Sequence, residues 1–177
     1  LKFMESRNPL IRALAYRIYE SNGVVKRDEV KNFIAKLEQN DRKDLREKGV
    51  KFGRYHIFLF KLFKPKAVSL RTLLWKNFNQ KYYDLEPPQF GLNFIEVNKK
   101  LNQEFMLICG FEKFENCYVR IDILERLFLM IIDANKNNVK EIKLVPEMLN
   151  LLGCNKENFV KLMEKMNYKS SSKDKDT

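Results

Sequence analysis

Apolar residues recur at helical spacing in one segment after another, and each run opens at a cap or a proline and closes at a glycine or a polar turn. Leu10, Ile11, Leu14 and Ile18 follow Asn8-Pro9 and stop at Ser21-Asn22-Gly23. This spacing predicts an amphipathic helix with Asn8 as its N-cap and proline in its first turn. Val30, Phe33, Ile34 and Leu37 form a second apolar stripe, and Asp28 and Glu29 place negative charge at its N-terminal end. Asp41 is expected to cap a short third helix that Gly49 ends. Val50 to Phe60 changes character: its aromatic and β-branched residues suit a short strand or a buried loop. Pro65 opens a further helix on which Leu70, Leu73, Leu74 and Phe78 are expected to face the core, with Arg71 and Lys76 toward water and Trp75 at the flank.

Glu86-Pro87-Pro88 blocks helix and disfavours strand, so a subdomain boundary is expected there. Beyond it, Leu101, Phe105 and Ile108 lie on a helix stopped by Gly110, and Tyr118 to Ile121 reads as extended. Asp122 and Glu125 have capping-box spacing ahead of Ile123, Leu124, Leu127, Phe128 and Ile131, which gives a central helix running to about Ala134. Pro146 starts a short helix, Gly153 ends it, and Asn155 caps another lined by Phe159, Leu162, Met163 and Met166. The expected fold is mainly α: two small helical subdomains with one or two short extended segments and a possible helix-turn-helix at the C-terminal end. The expected boundaries are 1–85 for a basic helical subdomain, 86–91 for a Pro-rich linker, 92–168 for a second helical subdomain and 169–177 for a disordered tail.

Charge is distributed unevenly. From Gly49 to Tyr83 there is no Asp or Glu, while Lys51, Arg54, Lys61, Lys64, Lys66, Arg71, Lys76 and Lys81 lie in that stretch and carry most of the formal net charge of +11. Such asymmetry points to a polyanionic partner, although solvated lysines that only confer solubility are the plainer alternative. Forty-five per cent hydrophobic residues, with fourteen Phe and seven Tyr, excludes disorder for most of the chain. Cys109, Cys117 and Cys154 form no C-x-x-C pair and His56 is the sole histidine, so no metal site is expected. No signal peptide is evident and the longest apolar run, Leu127 to Ile132, is too short for a bilayer, so a cytoplasmic protein with reduced thiols and no membrane partner is expected. The chain begins at Leu1 and reads as a piece of something longer.

The basic block is interleaved with Phe52, Tyr55, Phe58, Phe60, Phe63, Trp75 and Tyr82, and phosphate neutralisation combined with base stacking is the physical basis of single-strand binding. The candidate nucleic-acid contacts are Lys51, Arg54, His56, Lys61, Lys64, Lys66, Arg71, Lys76 and Lys81; the competing reading is that most of these aromatics are core. Without an identifiable carboxylate partner, His56 is read as packed or surface before it is read as an acid–base group. Pro146 to Tyr168 has helix-turn-helix proportions, which makes Asn155, Lys156, Asn158 and Lys161 secondary candidates, opposed by Glu157 and Glu164. No phosphate-cradling loop, nucleophile elbow or paired carboxylate cluster appears, so no catalytic residue and no cofactor is assigned to this chain.

Two stretches resemble a known family: Asp41-Arg42-Lys43-Asp44-Leu45-Arg46-Glu47-Lys48-Gly49-Val50-Lys51-Phe52-Gly53-Arg54-Tyr55-His56-Ile57-Phe58-Leu59, and Val119-Arg120-Ile121-Asp122-Ile123-Leu124-Glu125-Arg126-Leu127. They are similar to the region that follows the motor in alphaproteobacterial superfamily 2 helicases, relatives of the mitochondrial degradasome RNA helicase. Lys64-Pro65 with Leu73-Leu74-Trp75, the Cys109-Gly110-Phe111 turn, and Leu151-Leu152-Gly153-Cys154 through Asn167-Tyr168 follow in the same order. Phe60-Lys61-Leu62-Phe63 departs from the pattern, where a proline-containing turn is more typical. The resemblance implies a parent that hydrolyses ATP with magnesium to unwind RNA or DNA, the motor domains lying upstream of Leu1.

The expected function is therefore an accessory nucleic-acid-binding region of an ATP-dependent helicase, with RNA favoured over DNA and the motor domains as further partners. The alternatives are a protein-interaction module that docks the helicase on a partner, which requires an exposed apolar patch of several hundred Å², and a structural buttress for the motor domains.

Overall fold

The computed structural model describes residues 2–97, 101–134 and 144–169. The tail expected from 169 onward lies, apart from Lys169, outside the described residues. Helix α1 (Pro9–Glu20) is capped by Asn8, whose side chain accepts from the Leu10 N–H, and it ends at Asn22 and Gly23 in the left-handed region. Strand β1 (Val24–Lys26) follows, then a 3-10 turn (Arg27–Val30), α2 (Lys31–Lys36), α3 (Gln39–Glu47), and the hairpin β2 (Val50–Phe52) and β3 (His56–Leu59). The hairpin's second strand lies in the middle of an antiparallel sheet of order β1-β3-β2, with Ile57 opposite both Val25 and Phe52. Ile11, Leu14 and Ile18 from α1 join Val25, Ile34, Leu37, Leu45, Val50 and Ile57 in one core. Each such fully buried aliphatic side chain contributes about 1.5–3 kcal/mol of transfer free energy.

A similar order then recurs, with one helix in place of α2 and α3. Helix α4 (Pro65–Phe78) precedes β4 (Phe94–Glu96), α5 (Gln103–Ile108) and the hairpin β5 (Phe111–Phe114) and β6 (Cys117–Arg120), and the sheet order is β4-β6-β5. Val68 and Trp75 of α4 pack with Phe105, Ile108, Phe111 and Tyr118, so α4 belongs to the second core, and the Pro-rich stretch 86–91 lies within this layout between α4 and β4. Among the described residues three helices follow: α6 (Ile121–Ala134), α7 (Pro146–Leu152) and α8 (Lys156–Lys165). Leu124, Leu127, Phe128 and Ile131 of α6 pack on Met148, Leu152, Phe159 and Leu162.

The expectation of a mainly α fold is thus corrected: the chain is mixed α and β, with two three-stranded antiparallel sheets in place of one or two extended segments. The physical reason is strand length. Segments such as Val24–Lys26, Val50–Phe52 and Phe94–Glu96 are three residues long, too short to display alternation, and Phe52, Ile57 and Phe58 read equally well as a loop. The phase of α4 is corrected too. Leu70, Leu73, Leu74 and Phe78 are exposed at 57, 51, 49 and 88%, whereas Val68, Thr72 and Trp75 are buried and Arg71 and Lys76 are half-buried. Hydrophobicity selected the wrong side because the buried side carries the fewer but larger contacts, the Trp75 ring stacking on Tyr82 and meeting Phe105.

Candidate nucleic-acid interface

The acid-free stretch folds into β2, β3, a 3-10 turn (Phe60–Phe63) and α4. Lys51, Arg54, Lys61, Lys64, Lys66 and Lys81 are exposed. Lys51 and Lys64, thirteen positions apart, converge on one ring: their ammonium groups lie 5.7 and 4.7 Å from the centroid of Phe60, which is 37% exposed. With Lys61 and Lys66 on the same short segment, this gathers four cations over and beside a partly exposed aromatic ring, and among the described residues none of these four lysines is ion-paired. Lys81 lies over Tyr82 at 4.7 Å.

The remaining candidates are engaged inside the protein. Arg71 donates to the Asn22 carbonyl at 2.6 Å, and Lys76 pairs with Glu86 at 3.2 Å. Among the aromatics, Phe58, Phe63 and Trp75 are core, Phe52, Tyr55 and Tyr82 are half-buried, and Phe60 is exposed. Of the secondary set, Asn155 caps α8 by accepting from the Asn158 N–H, Asn158 bonds Glu96, Lys161 pairs with Glu157 at 2.6 Å, and Lys156 is exposed. Helices α7 and α8 do form a helix–turn–helix around Gly153, but α8 turns Phe159, Leu162 and Met163 into the core against α6.

His56 is 3% exposed and sits between two carboxylates. Its Nδ1 lies 2.8 Å from Glu125 and its Nε2 is hydrogen-bonded to Glu112, which also pairs with Lys26 at 3.2 Å. Glu125 also accepts from the backbone N–H groups of Tyr55 at 2.9 Å and His56 at 2.7 Å, and from that of Arg54. The expected capping-box role of Glu125 is not what is found, since its carboxylate reaches across to the β2–β3 hairpin. Burial alone would push the imidazole down, but hydrogen bonds and charge from Glu112 and Glu125 raise it from 6.5 to about 9. Burial likewise works against the Glu112 carboxylate, which the imidazolium and then Lys26 hold below its usual range. His56 is therefore an imidazolium at neutral pH that clamps the hairpin to the second half of the chain. Tyr55 reinforces the clamp, its ring 4.4 Å from that of Phe128.

The hairpin tip requires glycine at position 53. A Cβ there would overlap the Glu125 carboxylate and approach the His56 carbonyl to 2.8 Å. We expect Gly53→Ala to cost about 1–3 kcal/mol, in the range of overpacked sites, whereas Gly49→Ala, where a Cβ meets nothing, should lose only the strain of its positive φ. Chemical denaturation of both variants checks this.

Residue patterns had marked neither Glu112 nor Glu125 as a partner of His56. The one available signal was an acid within an apolar stripe, since Glu125 stands four positions after Ile121 and three before Phe128. Among the described residues no group of three His, Cys, Asp or Glu side chains is placed to hold a metal ion, and no helix is long and apolar enough to cross a membrane. No family model, curated protein or solved structure matches this chain, and nothing in these comparisons links it to helicases. The two stretches that carry the helicase resemblance are the two that meet at the buried clamp, Gly53 to His56 from one and Glu125 from the other.

Proposed function

We propose that the chain is a nucleic-acid-binding module without chemistry of its own, which holds a strand at the Lys51–Phe60–Lys64 cluster. The observation that carries this reading is the convergence of two lysines on an exposed ring within an acid-free stretch. A base stacks on the Phe60 ring as the lysines now over it swing to the flanking phosphates, with Lys61 and Lys66 adding further cations. In the helicase context that the sequence resemblance implies, upstream motor domains would bind ATP and magnesium and deliver the strand.

The test is a titration of a 20-nucleotide oligouridine at several salt concentrations. Four phosphate contacts give a slope of log K against log salt near about −3. Lys51→Glu with Lys64→Glu should weaken binding at least about tenfold, equivalent to about 1.4 kcal/mol, and Phe60→Ala should weaken it without changing the slope. A flat salt response sinks the reading. A specific observation favours protein docking as a second reading: Leu70, Leu73, Leu74 and Phe78 form an exposed apolar stripe on α4. Under that reading, Leu73→Glu abolishes partner binding while the lysine reversals spare it.

A further inference from the structure

Helix α4 buries Val68, Thr72 and Trp75 on one side, and its opposite side carries an uncovered apolar ridge. Leu70, Leu74 and Phe78 fall four positions apart, so they stand one above another along a single row, with Leu73 alongside. Four positions before Leu70, the exposed Lys66 heads the same row. Rows of this kind pack into the grooves of a second helix, yet all four apolar side chains remain exposed. Charge around the ridge is one-sided. Lys66, Arg71 and Lys76 lie on α4 itself, which holds no acid. Its first turn has no acid and its N-terminus no side-chain cap, so the positive end of the helix dipole adds to Lys66. Arg71 and Lys76, on the two flanks of the row, are engaged by the Asn22 carbonyl and by Glu86. The exposed cations therefore sit at the ends of the row, Lys66 at one and Lys81 just past the other.

We propose that the outer side of α4 docks one acidic amphipathic helix of a protein partner, which rests on the docking reading of this stripe and names what docks. The partner lays its apolar row against Leu70, Leu73, Leu74 and Phe78 and brings Asp or Glu to Lys66 and Lys81. Area points to a single helix: a ridge on the order of several hundred Å² falls below the roughly 800 Å² a side of a standard interface between globular proteins. Charge and side-chain chemistry decide among occupants. A second copy would bring together two chains of formal net charge +11, each with the same cations at the ends of its row. A helix that lies on a lipid surface presents cations along its polar face, whereas Arg71 and Lys76 are held within the protein. A nucleic-acid strand gains affinity by stacking on aromatic rings, and Leu70, Leu73 and Leu74 offer none. An acidic helix matches both the aliphatic row and the cations at its ends, and its charge adds rate and specificity to the apolar contact.

The test uses the whole chain as bait for a displayed library of helical peptides of about 20 residues. Leucine is fixed at i, i+3, i+4 and i+7, and every other position is drawn from Glu, Lys, Gln and Ala. Recovered peptides should be net acidic. Their affinity should fall at least tenfold on Leu73→Glu and at least threefold on Lys66→Glu, and stay within twofold on Lys51→Glu with Lys64→Glu. Versions with Gln in place of every Glu should bind wild type at least tenfold more weakly, and for them Lys66→Glu should have no further effect. Leu73 and Lys66 are exposed, so both variants should melt with wild type. Leu73→Glu should also keep its oligouridine affinity within twofold, which separates this site from the strand site. Recovered peptides that are neutral or basic, yet still lost in Leu73→Glu, overturn the acidic partner and leave the docking reading standing. Binding that Leu73→Glu leaves unchanged overturns both, and a library that yields no peptide overturns the acidic helix. Binding to phosphatidylcholine vesicles with about 30% phosphatidylserine, or a dimer at about 100 µM, overturns it if Leu73→Glu abolishes that state, because the ridge then has another occupant.

Discussion

Replacing Glu125 by alanine should destabilise the chain by about 3–5 kcal/mol, the range for removing one partner from a buried ion pair. The carboxylate serves four donors at once: the backbone N–H groups of Arg54, Tyr55 and His56, and the His56 ring. With the carboxylate gone, the imidazolium would remain with Glu112 alone. Because domains are stable by only about 5–15 kcal/mol in total, the variant should show a large fall in urea midpoint and in melting temperature. Glu125→Gln keeps the shape and one acceptor oxygen and should lose less, while Arg126→Ala, at an exposed neighbouring position, should stay within about 0.5 kcal/mol. Hydrogen exchange locates the damage: the amides of Arg54, Tyr55 and His56 should open before those of α1. A Glu125→Ala protein within 1 kcal/mol of wild type would show that the hairpin does not depend on this carboxylate.

This clamp also marks where reading the chain in one dimension stops working. Local chemistry was sufficient for α1, where Asn8, Pro9 and the Ser21-Asn22-Gly23 stop act within a few residues of one another, and for the α7–α8 pair, where Gly153 sits in the left-handed region and Asn155 caps as its position suggests. It was insufficient wherever the deciding partner lies far along the chain. Glu125 and Glu112 are 69 and 56 positions from His56, so the histidine had no visible carboxylate. The side of α4 that faces inward is chosen by Trp75 meeting Tyr82 and Phe105, a tertiary contact that outweighs four leucine and phenylalanine side chains on the other side. The basic block was legible as charge, but Phe60 as its focus was not, because only the folded hairpin brings Lys51 beside Lys64. For the same reason the helix–turn–helix that stands out in the sequence, α7–α8, is packed against α6.

Stability should fall as pH rises from about 6.5 to about 9, and His56 should account for the slope. The imidazole of the unfolded chain releases its proton near 6.5 and that of the folded chain near 9. Below 6.5 both states hold the proton and the full contribution of the clamp is present. Between the two values the folded state binds a proton that the unfolded state lacks, so stability declines by up to about 1.4 kcal/mol per pH unit, roughly 3 kcal/mol in all, and above about 9 the contribution is gone. Glu112 acts at the opposite end: its carboxylate is lowered, so its contribution is present above the ordinary value of 4.5 and is lost as pH falls through the depressed one. The clamp is therefore at full strength between about pH 4.5 and 6.5. Burial raises Cys109 to about 12 and Cys117 and Cys154 to about 11, and these thiols add a decline of the same sign only above their ordinary value of 9. Urea midpoints at pH 6, 7, 8 and 9 should fall steadily for the wild type. His56→Gln should be less stable at pH 6 yet nearly flat over the same range, and added salt should change the wild-type slope little, because a buried pair is weakly screened. If His56→Gln retains the wild-type slope, the titrating group lies elsewhere and the buried imidazolium is not what joins the two halves of the chain.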